Sequence, residues 1–580
     1  MFPAAGVAGD PASYSKRCAH AEPPLDVVPL AGPLACSKTG ALYGMHAYWS
    51  KKPHDAIRAF IRHHTRPGDL VLDPFCGSGG TAAIASQEGR PAIALDRSPA
   101  AVFIARHYSE PADPDRVRSA LGQVLARARA LSDRDLIAAA GDLGCPGNAL
   151  ASQIAGNLGQ LEGPAQSQNA SDPDGRDPAA SFGQVAMIGR LYATPCDCCG
   201  GIAELTATFY DHGEPRSAPV PTEIAYRCRG CGKARRPATD RDRAELATIG
   251  RSPVSSRFPT VRMMHRDGPW GDTWRNGTSS FETVDELFTP RNLRAMAALL
   301  EAIGEVEDPD ARDVLLFAFS AHVFSATTMQ QVREGGGGYA KGTYYVPRRF
   351  VERNVFSGFT RRVEAVLAGK AMLADGDLLA AGDAVQAVPG GIGRAEVAPA
   401  RRPPGPCIAR ADARRLPLSD GCIDYIFTDP PYLDAVQYAE LNFLWESWLE
   451  LDTSWHGDEI VINRTRHLTL DHWKSGMGAA LAEMRRVLKP GAWLSLCFAA
   501  TNLSAWGDLG TLLVEAGFEP GGTVILEPAQ KSYNRLKPTK KARHDRVVSW
   551  RKPAGKPQQV DLEAWLTEIG RAIETDCRLT

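Results

Sequence analysis

Short apolar runs alternate with helix-like segments in two separate parts of the chain. In the first part, residues 70–72 and 91–95 are apolar runs typical of buried strands, and residues 81–88 and 100–108 have the spacing of helices. Two strand–helix units in such close succession predict a parallel sheet with crossover helices.

The same rhythm resumes after residue 406. Apolar runs at 407–411, 425–428 and 492–498 predict three more strands, and segments with helical spacing at 436–449 and 472–488 separate them. The sequence therefore predicts an α/β fold in which one Rossmann-like sheet is split by a large insertion.

The segments outside the predicted sheet differ from it in composition. Residues 141–181 contain no aromatic residue and are rich in small and polar residues, which is typical of a linker. Shifts of this kind divide the chain into a flexible N-terminal arm (1–40), the first half of the sheet domain (41–140), a linker (141–186), a cysteine-bearing basic segment (187–275), a helical region with a Gly-rich loop (276–374), a second linker (375–405), the second half of the sheet domain (406–552) and a C-terminal helix or tail (553–580).

The overall composition is that of a globular protein. Hydrophobic residues make up 44% and charged residues 23% of the chain, which excludes fibrous and wholly disordered classes. We find no run of about 18 apolar residues and no basic segment followed by an apolar core at the N-terminus. We therefore expect no membrane partner and a cytoplasmic location.

A glycine-rich turn, DPFCGSGG at 73–80, follows the first predicted strand. Ligands bind at the carboxyl ends of parallel strands, and glycines there let a ligand approach the backbone. The turn is neither a P-loop nor a dinucleotide fingerprint, because the required Lys and glycine spacing are missing. Asp96 and Asp412 end two other predicted strands, where a carboxylate accepts hydrogen bonds from ribose or a base. The alternative is a structural turn with acids that cap helices.

The tetrapeptide at 429–432 (DPPY) follows an apolar strand. Tandem prolines end the strand and leave carbonyl groups free. The Asp429 carboxylate and the Pro430 carbonyl can then accept both N–H bonds of a base amino group, which localises the nitrogen lone pair towards a methyl donor. We expect Tyr432 to stack on that base. The alternative is a proline-terminated turn with a buried tyrosine.

Together these segments resemble the S-adenosylmethionine-dependent amino-methyltransferases of DNA, over about residues 41–110 and 406–552. Residues 73–79 match that family's cofactor loop, residues 429–432 its catalytic tetrapeptide and residues 46–53 its upstream element. The resemblance implies a class I methyltransferase sheet, the catalytic residues Asp429, Pro430, Pro431 and Tyr432, and cofactor contacts from Ser50 and Lys52 (methionine carboxylate), Asp73 (methionine amino group), Phe75 (adenine), Gly77 and Gly79 (loop), Asp96 (ribose) and Asp412 (adenine edge).

The resemblance also implies a reaction. The methyl group would pass directly to the amino group of a flipped base, with no covalent enzyme intermediate. Asp at the first position of the tetrapeptide favours adenine N6, so we expect a site-specific DNA adenine methyltransferase. DNA cytosine-N4 methylation, RNA guanine-N2 methylation and a non-catalytic nucleic-acid-binding protein with an inactive fold are the alternatives. The cofactor loop precedes the tetrapeptide with a large insertion between them, an order which in the family places target recognition in the insertion. We expect Asp429→Ala to abolish methylation and to leave cofactor binding nearly intact.

Two Cys-x-x-Cys pairs, each followed by glycine, lie in the insertion with 28 residues between them. This spacing lets four thiolates meet one ion, so we predict a structural zinc ribbon with the ligands Cys196, Cys199, Cys228 and Cys231. Unrelated thiols or a redox pair are the alternative, and Cys198 is a spare cysteine. A zinc ribbon in this position resembles a prokaryotic group of adenine-specific DNA methylases, although the chain lacks that group's long N-terminal extension.

The formal net charge of −1 hides basic segments. Lys and Arg outnumber Asp and Glu by twelve to five over 227–275, by six to one over 341–362 and by nine to one over 531–552. Clustered cations are typical of phosphate-binding surfaces. We therefore predict DNA as the partner and a nucleoid-associated location. A role in restriction–modification, with a restriction or phage-defence partner, is left open.

Overall fold

The computed structural model describes residues 10–142, 190–213, 218–263, 281–332, 338–339, 344–374, 405–500, 502–528 and 545–578. Most of both predicted linkers, most of the predicted Gly-rich loop and most of the 531–552 basic segment lie outside these residues. The chain divides into two compact units. We call residues 1–112, 268–271 and 365–580 the sheet unit, and residues 113–267 and 272–364 the insertion unit.

The elements are numbered in chain order. The strands are β1 (Gly32–Cys36), β2 (Val71–Asp73), β3 (Ala92–Asp96), β4 (Ala193–Pro195), β5 (Ile202–Asp211), β6 (Val220–Cys228), β7 (Gly232–Pro237), β8 (Arg349–Arg353), β9 (Cys407–Arg410), β10 (Ile423–Thr428), β11 (Leu488–Phe498), β12 (Glu519–Pro528) and β13 (Asp545–Arg551). The α-helices are α1 (Pro11–Cys18), α2 (Ala41–Gly44), α3 (His54–His64), α4 (Gly80–Gln87), α5 (Pro99–Ser109), α6 (Pro114–Asp142), α7 (Asp240–Arg251), α8 (Pro290–Gly304), α9 (Pro309–Val323), α10 (Val355–Ala374), α11 (Tyr438–Trp448), α12 (Leu470–Val487), α13 (Leu503–Glu515) and α14 (Leu562–Arg578).

The sheet unit is built on one eight-stranded sheet with the order β1-β12-β13-β11-β10-β2-β3-β9. Strand β13 is antiparallel to β11 and β12, and every other neighbouring pair is parallel. The predicted α/β sheet is therefore confirmed, and strands from both sides of the insertion share it. The carboxyl ends of β2 and β10 lie side by side, which brings the glycine turn next to the tetrapeptide.

Burial explains the apolar runs that predicted these strands. All residues of β2 and β10 are buried, as expected for parallel strands covered on both faces. Helices α12, α13 and α14 supply apolar side chains to the same core as the strands. Helices α3, α4 and α5 also contact the parallel strands. Among the described residues, none of the helices combines the length and apolar character that a membrane crossing needs.

The prediction of a loose arm over 1–40 was wrong for its described part. Asp10 caps α1 by accepting hydrogen bonds from two backbone N–H groups of its first turn. Tyr14 is 3% exposed and packs in the main core, and β1 extends the sheet by pairing with β12. The sequence of the arm has no hydrophobic period, because the packing of Tyr14 and the pairing of β1 with β12 hold it in place rather than an amphipathic face of its own.

The predicted domain limits differ from the compact units in two other places. Helix α6 belongs to the insertion unit, so the first half of the sheet unit ends at Ala112 rather than residue 140. At the other end, α14 contributes buried Trp565 and Ile569 to the sheet unit's core. The predicted C-terminal helix is therefore part of that unit.

The insertion unit contains a second, antiparallel sheet with the order β4-β5-β6-β7, in which β8 pairs with β5. Helices α6, α8 and α9 pack against one another beside it. A buried ion pair joins Arg291 of α8 to Glu352 of β8, with a nitrogen–oxygen distance of 2.7 Å. Both cysteine pairs lie at turns of this sheet, before β5 and between β6 and β7.

Candidate functional site

The glycine turn connects the end of β2 to the first residue of α4. Gly79 has φ of +78°, in the left-handed region that favours glycine. A Cβ atom on Gly79 would lie 2.7 Å from the Ala105 Cβ and 2.8 Å from its Cα. The turn therefore needs glycine at this position both for its backbone conformation and for its close approach to α5.

Gly79→Ala is expected to destabilise the chain far more than Gly68→Ala. Gly68 also has a positive φ, +95°, but a Cβ there would meet nothing within 4 Å. Gly68→Ala, the control, should lower the free energy of unfolding only by the cost of an alanine in the left-handed region, about 1–2 kcal/mol. Gly79→Ala should add about 1–3 kcal/mol for the clash with Ala105. Urea unfolding of both variants measures the difference, and equal midpoints would contradict the close packing.

Asp73 is a buried carboxylate at the end of β2. It accepts hydrogen bonds from the Thr428 hydroxyl at 2.8 Å and from the Phe75 backbone N–H at 3.2 Å. Burial raises its pKa to about 7. Within the described part of the chain, its carboxylate forms no ion pair.

Asp96 and Asp412 lie at the ends of neighbouring strands but have different surroundings. Asp96 accepts backbone hydrogen bonds at 2.9 Å from both Gly77 and Ser98, and burial raises its pKa to about 6. Asp412 is instead held by Arg414, at 2.7 Å and 3.0 Å, and lies 3.5 Å from Arg97. Burial opposes ionisation of Asp412, but these contacts hold its pKa below the usual range.

Asp429 and Lys52 form a buried ion pair. The Lys52 Nζ lies 2.9 Å from the Asp429 Oδ2, and the Ser50 hydroxyl donates to the same oxygen at 3.3 Å. Ser50 also contacts the Tyr438 hydroxyl at 2.7 Å. Burial raises the pKa of Asp429, and Lys52 partly offsets that effect. Burial alone would lower the pKa of Lys52, but the charges of Asp429 and Asp545 raise it above the usual range.

Tyr432 packs its ring against the core and its hydroxyl against Asp429. Its hydroxyl donates to the Asp429 Oδ1, and its ring packs at 75° against Phe498 in the core with 6% of the residue exposed. Pro430 is likewise buried. The hydroxyl of Tyr432 holds Asp429, and the stacking role expected for its ring stays a prediction.

The predicted residues of the sheet unit converge on one cleft. Its walls include nine of them: Ser50, Lys52, Asp73, Phe75, Gly77, Asp96, Asp412, Asp429 and Pro431. Gly79, Pro430 and Tyr432 lie behind these walls. The lining residues that the sequence reasoning did not assign include Tyr48, Arg97, Tyr438, Trp455 and Glu459. Tyr48 lies within the upstream element at 46–53, and Tyr438 lies six residues after the tetrapeptide. This closeness to the motifs is the signal that could have identified both residues.

A buried polar network joins the upstream element to α11. The Asn442 side chain accepts from the Trp49 indole at 2.9 Å and donates to the Ser98 hydroxyl at 3.0 Å and to the Tyr48 hydroxyl at 3.3 Å. Glu446 accepts from the Ser98 hydroxyl at 3.2 Å. This network fixes the segment that carries Ser50 relative to the loop that carries Asp96.

The four predicted zinc ligands lie together in the insertion unit. The sulfur atoms of Cys196, Cys199, Cys228 and Cys231 all lie within 4.8 Å of one another. Zinc–sulfur bonds of about 2.3 Å in a tetrahedron place sulfurs roughly 3.8 Å apart, so the cluster fits one zinc ion. Cys198 is exposed and stands outside this set.

Comparison with known proteins shows what this chain is similar to. A family model described as DNA methylase, of the N6/N4 methyltransferase type, matches residues 15–107. The type II methyltransferase M.Cfr9I of Citrobacter freundii is 36% identical over 74 residues, which is 13% of this chain and 25% of that protein. The type II methyltransferase M1.MboII of Moraxella bovis is 51% identical over 45 residues, 8% of this chain and 17% of that protein. The chain thus spans about a quarter or less of the length of these curated relatives.

Among solved structures, a DNA modification methylase of Thermus thermophilus, TTHA0409, shares 14% identity at a TM-score of 0.15, with 26% of this chain and 54% of that chain covered. The antibiotic-resistance methyltransferase Kmr shares 13% identity at a TM-score of 0.15, with 26% and 63% covered. These TM-scores are too low to bear on the function. The family-model match covers the segment that carries the glycine turn. Together with the relatives, it confirms the resemblance to the S-adenosylmethionine-dependent DNA amino-methyltransferases.

Proposed function

We propose that this protein transfers a methyl group from S-adenosylmethionine to the exocyclic amino group of a base in DNA, with adenine N6 as the preferred position. The observation that carries this proposal is the convergence of Asp73, Asp96 and Asp429 on one cleft. The strand order, with β13 as the only antiparallel member of the described sheet, supports a class I methyltransferase fold.

The cleft fits the cofactor because one of its acids lacks an ion-pair partner. Asp73 is a buried carboxylate without an ion-pair partner among the described residues, and a cationic amino group would compensate it. Lys52 and Ser50 would hold the methionine carboxylate, Asp96 the ribose and Phe75 the adenine. Asp412, which lines the same cleft, would face the adenine edge. The cofactor, when bound, supplies an electrophilic methyl group.

Asp429 is the residue that we assign to the acceptor amino group. Its carboxylate is half-buried, held from both sides by Lys52 and Tyr432, and positioned at the cleft wall. A hydrogen bond from the amino group to this carboxylate localises the nitrogen lone pair, and a preorganised acceptor of this kind acts most strongly away from water. Besides Tyr432, Tyr438 is an aromatic side chain of the cleft wall that we propose for stacking on the base.

Cofactor affinity is expected to rise with pH. Burial raises the pKa of Asp73 to about 7, well above its ordinary 3.8. The folded chain therefore binds more protons than the unfolded chain between these values, and its free energy of unfolding falls as the pH rises through them. A bound ammonium group favours the ionised carboxylate, so binding should strengthen up to about pH 7 and then level off.

Calorimetric titration with S-adenosylmethionine from about pH 6 to about pH 8 measures this dependence. Asp73→Asn should bind more weakly and lose the part of the pH slope that Asp73 contributes. A wild-type affinity that stays constant over this range would contradict the proposed contact between Asp73 and the methionine amino group.

We assign target binding to the insertion unit, with zinc held by Cys196, Cys199, Cys228 and Cys231. A closed four-cysteine site has no open position for chemistry, so the zinc role is structural. Arg227 and Lys233 are exposed partners across the β6–β7 hairpin beside this cluster, which suits contact with phosphates.

The proposal is tested by expressing the chain in a bacterial host without DNA methylation and analysing genomic nucleosides by mass spectrometry. We expect N6-methyladenine to accumulate. N4-methylcytosine instead would keep the amino-methyltransferase assignment and change the base. Unmethylated DNA with guanine-N2 methylation in RNA would overturn the assignment to DNA.

A further inference from the structure

Lys52 lies between two carboxylates, and only one of them belongs to a recognised motif. Its Nζ is 2.9 Å from the Asp429 Oδ2 and 3.8 Å from the Asp545 Oδ2. The Lys52 side chain is 4% exposed, and its Nζ also donates to the Ser50 carbonyl at 2.8 Å. Asp545 is the first residue of β13, more than a hundred residues after the tetrapeptide.

The ion pair occupies the group that the proposed reaction needs. The Asp429 Oδ2 accepts from Lys52 and from Ser50, and the Oδ1 accepts from Tyr432. A base amino group that donates to the Asp429 Oδ2 must therefore compete with a buried cation for that oxygen. A charge-assisted hydrogen bond of this kind is among the stronger contacts in proteins, so the competition matters.

We propose that Asp545 is a positioning residue, which takes over Lys52 when the methionine carboxylate of the cofactor binds and so frees the Asp429 Oδ2 for the base. This inference rests on the proposed function. The present distances differ by about 0.9 Å, so a side-chain adjustment is enough for the exchange. Cofactor binding then prepares the acceptor, and productive base binding follows it.

The first test measures cofactor binding alone. If the methionine carboxylate and Asp429 compete for Lys52, Asp429→Asn removes the competitor and should tighten S-adenosylmethionine binding by about threefold to tenfold. Calorimetry of the full chain gives this value without any methylation assay. Unchanged or weaker binding in Asp429→Asn would overturn the shared use of Lys52.

The second test separates kcat from cofactor binding. In Asp545→Asn, Lys52 stays with Asp429, so the kcat for methyl transfer to unmethylated genomic DNA should fall about tenfold while the cofactor Kd changes less than about twofold. Asp545→Glu should recover part of the kcat. Asp434→Asn is the matched control, since Asp434 is an exposed aspartate that does not line the cleft, and its kcat should equal that of the wild type.

A merely structural role for Asp545 gives a different pattern. Cofactor affinity and thermal stability would then fall together with kcat in Asp545→Asn, or kcat would not change, and either result overturns the proposal. A wild-type chain that binds the cofactor but methylates no DNA would instead contradict the proposed function, while the Asp429→Asn binding result would still decide whether Lys52 is shared.

Discussion

Replacing Asp429 by alanine is expected to abolish methyl transfer to DNA while S-adenosylmethionine still binds. The variant removes the carboxylate that we assign to the acceptor amino group, and the loss of one such group costs about a hundredfold to a thousandfold or more in rate. The cofactor contacts assigned to Asp73, Asp96 and Phe75 stay in place. Lys52, released from its ion pair, is then free for the methionine carboxylate.

This prediction is measured by single-turnover methylation of unmethylated genomic DNA and by calorimetry with the cofactor. Asp434→Ala is a matched control, because Asp434 is an exposed aspartate in the same loop and does not line the cleft. The control should keep its rate. Activity that persists in Asp429→Ala would remove the central residue from the mechanism.

The second large effect is expected in the insertion unit. Cys228→Ser should abolish the binding of one zinc ion per chain and unfold the sheet that carries the cysteines. Structural zinc contributes about 10–16 kcal/mol in isolated zinc-finger peptides, which exceeds the stability of most domains. Cys228 is buried at the end of β6, so the variant also leaves a polar hydroxyl inside the cluster.

Metal analysis of the purified chain and limited proteolysis within the insertion unit measure these effects. Cys198→Ser is the control, because its side chain is exposed and outside the cluster of four sulfurs. It should retain zinc and resist proteolysis like the wild type. Full zinc content in Cys228→Ser, or a chelated chain with an unchanged fold, would contradict the structural site.

The sheet could be predicted from the sequence because its strands are buried on both faces. Residues 70–72 and 425–428 read as continuous apolar runs, and β2 and β10 lie at those places as neighbours. The glycine turn and the tetrapeptide stand at the carboxyl ends of these two strands. Parallel pairing alone therefore brings them to one edge of the sheet.

Contacts between distant residues could not be predicted in this way. The arm around Tyr14 is held by the core and has no period of its own. The ion pair of Asp412 with Arg97, and the approach of Asp545 to Lys52, join side chains that no local pattern connects. The roles assigned to the individual site residues stay predictions until the variants are measured.

The most direct test of the account uses a labelled methyl group. The purified chain is incubated with unmethylated genomic DNA and S-adenosylmethionine that carries a deuterated methyl group, and the nucleosides are analysed by mass spectrometry. We predict deuterated N6-methyldeoxyadenosine in the wild-type reaction and none with Asp429→Ala. Label on a base carbon instead of an amino nitrogen, or equal amino-group labelling by both proteins, would contradict the account.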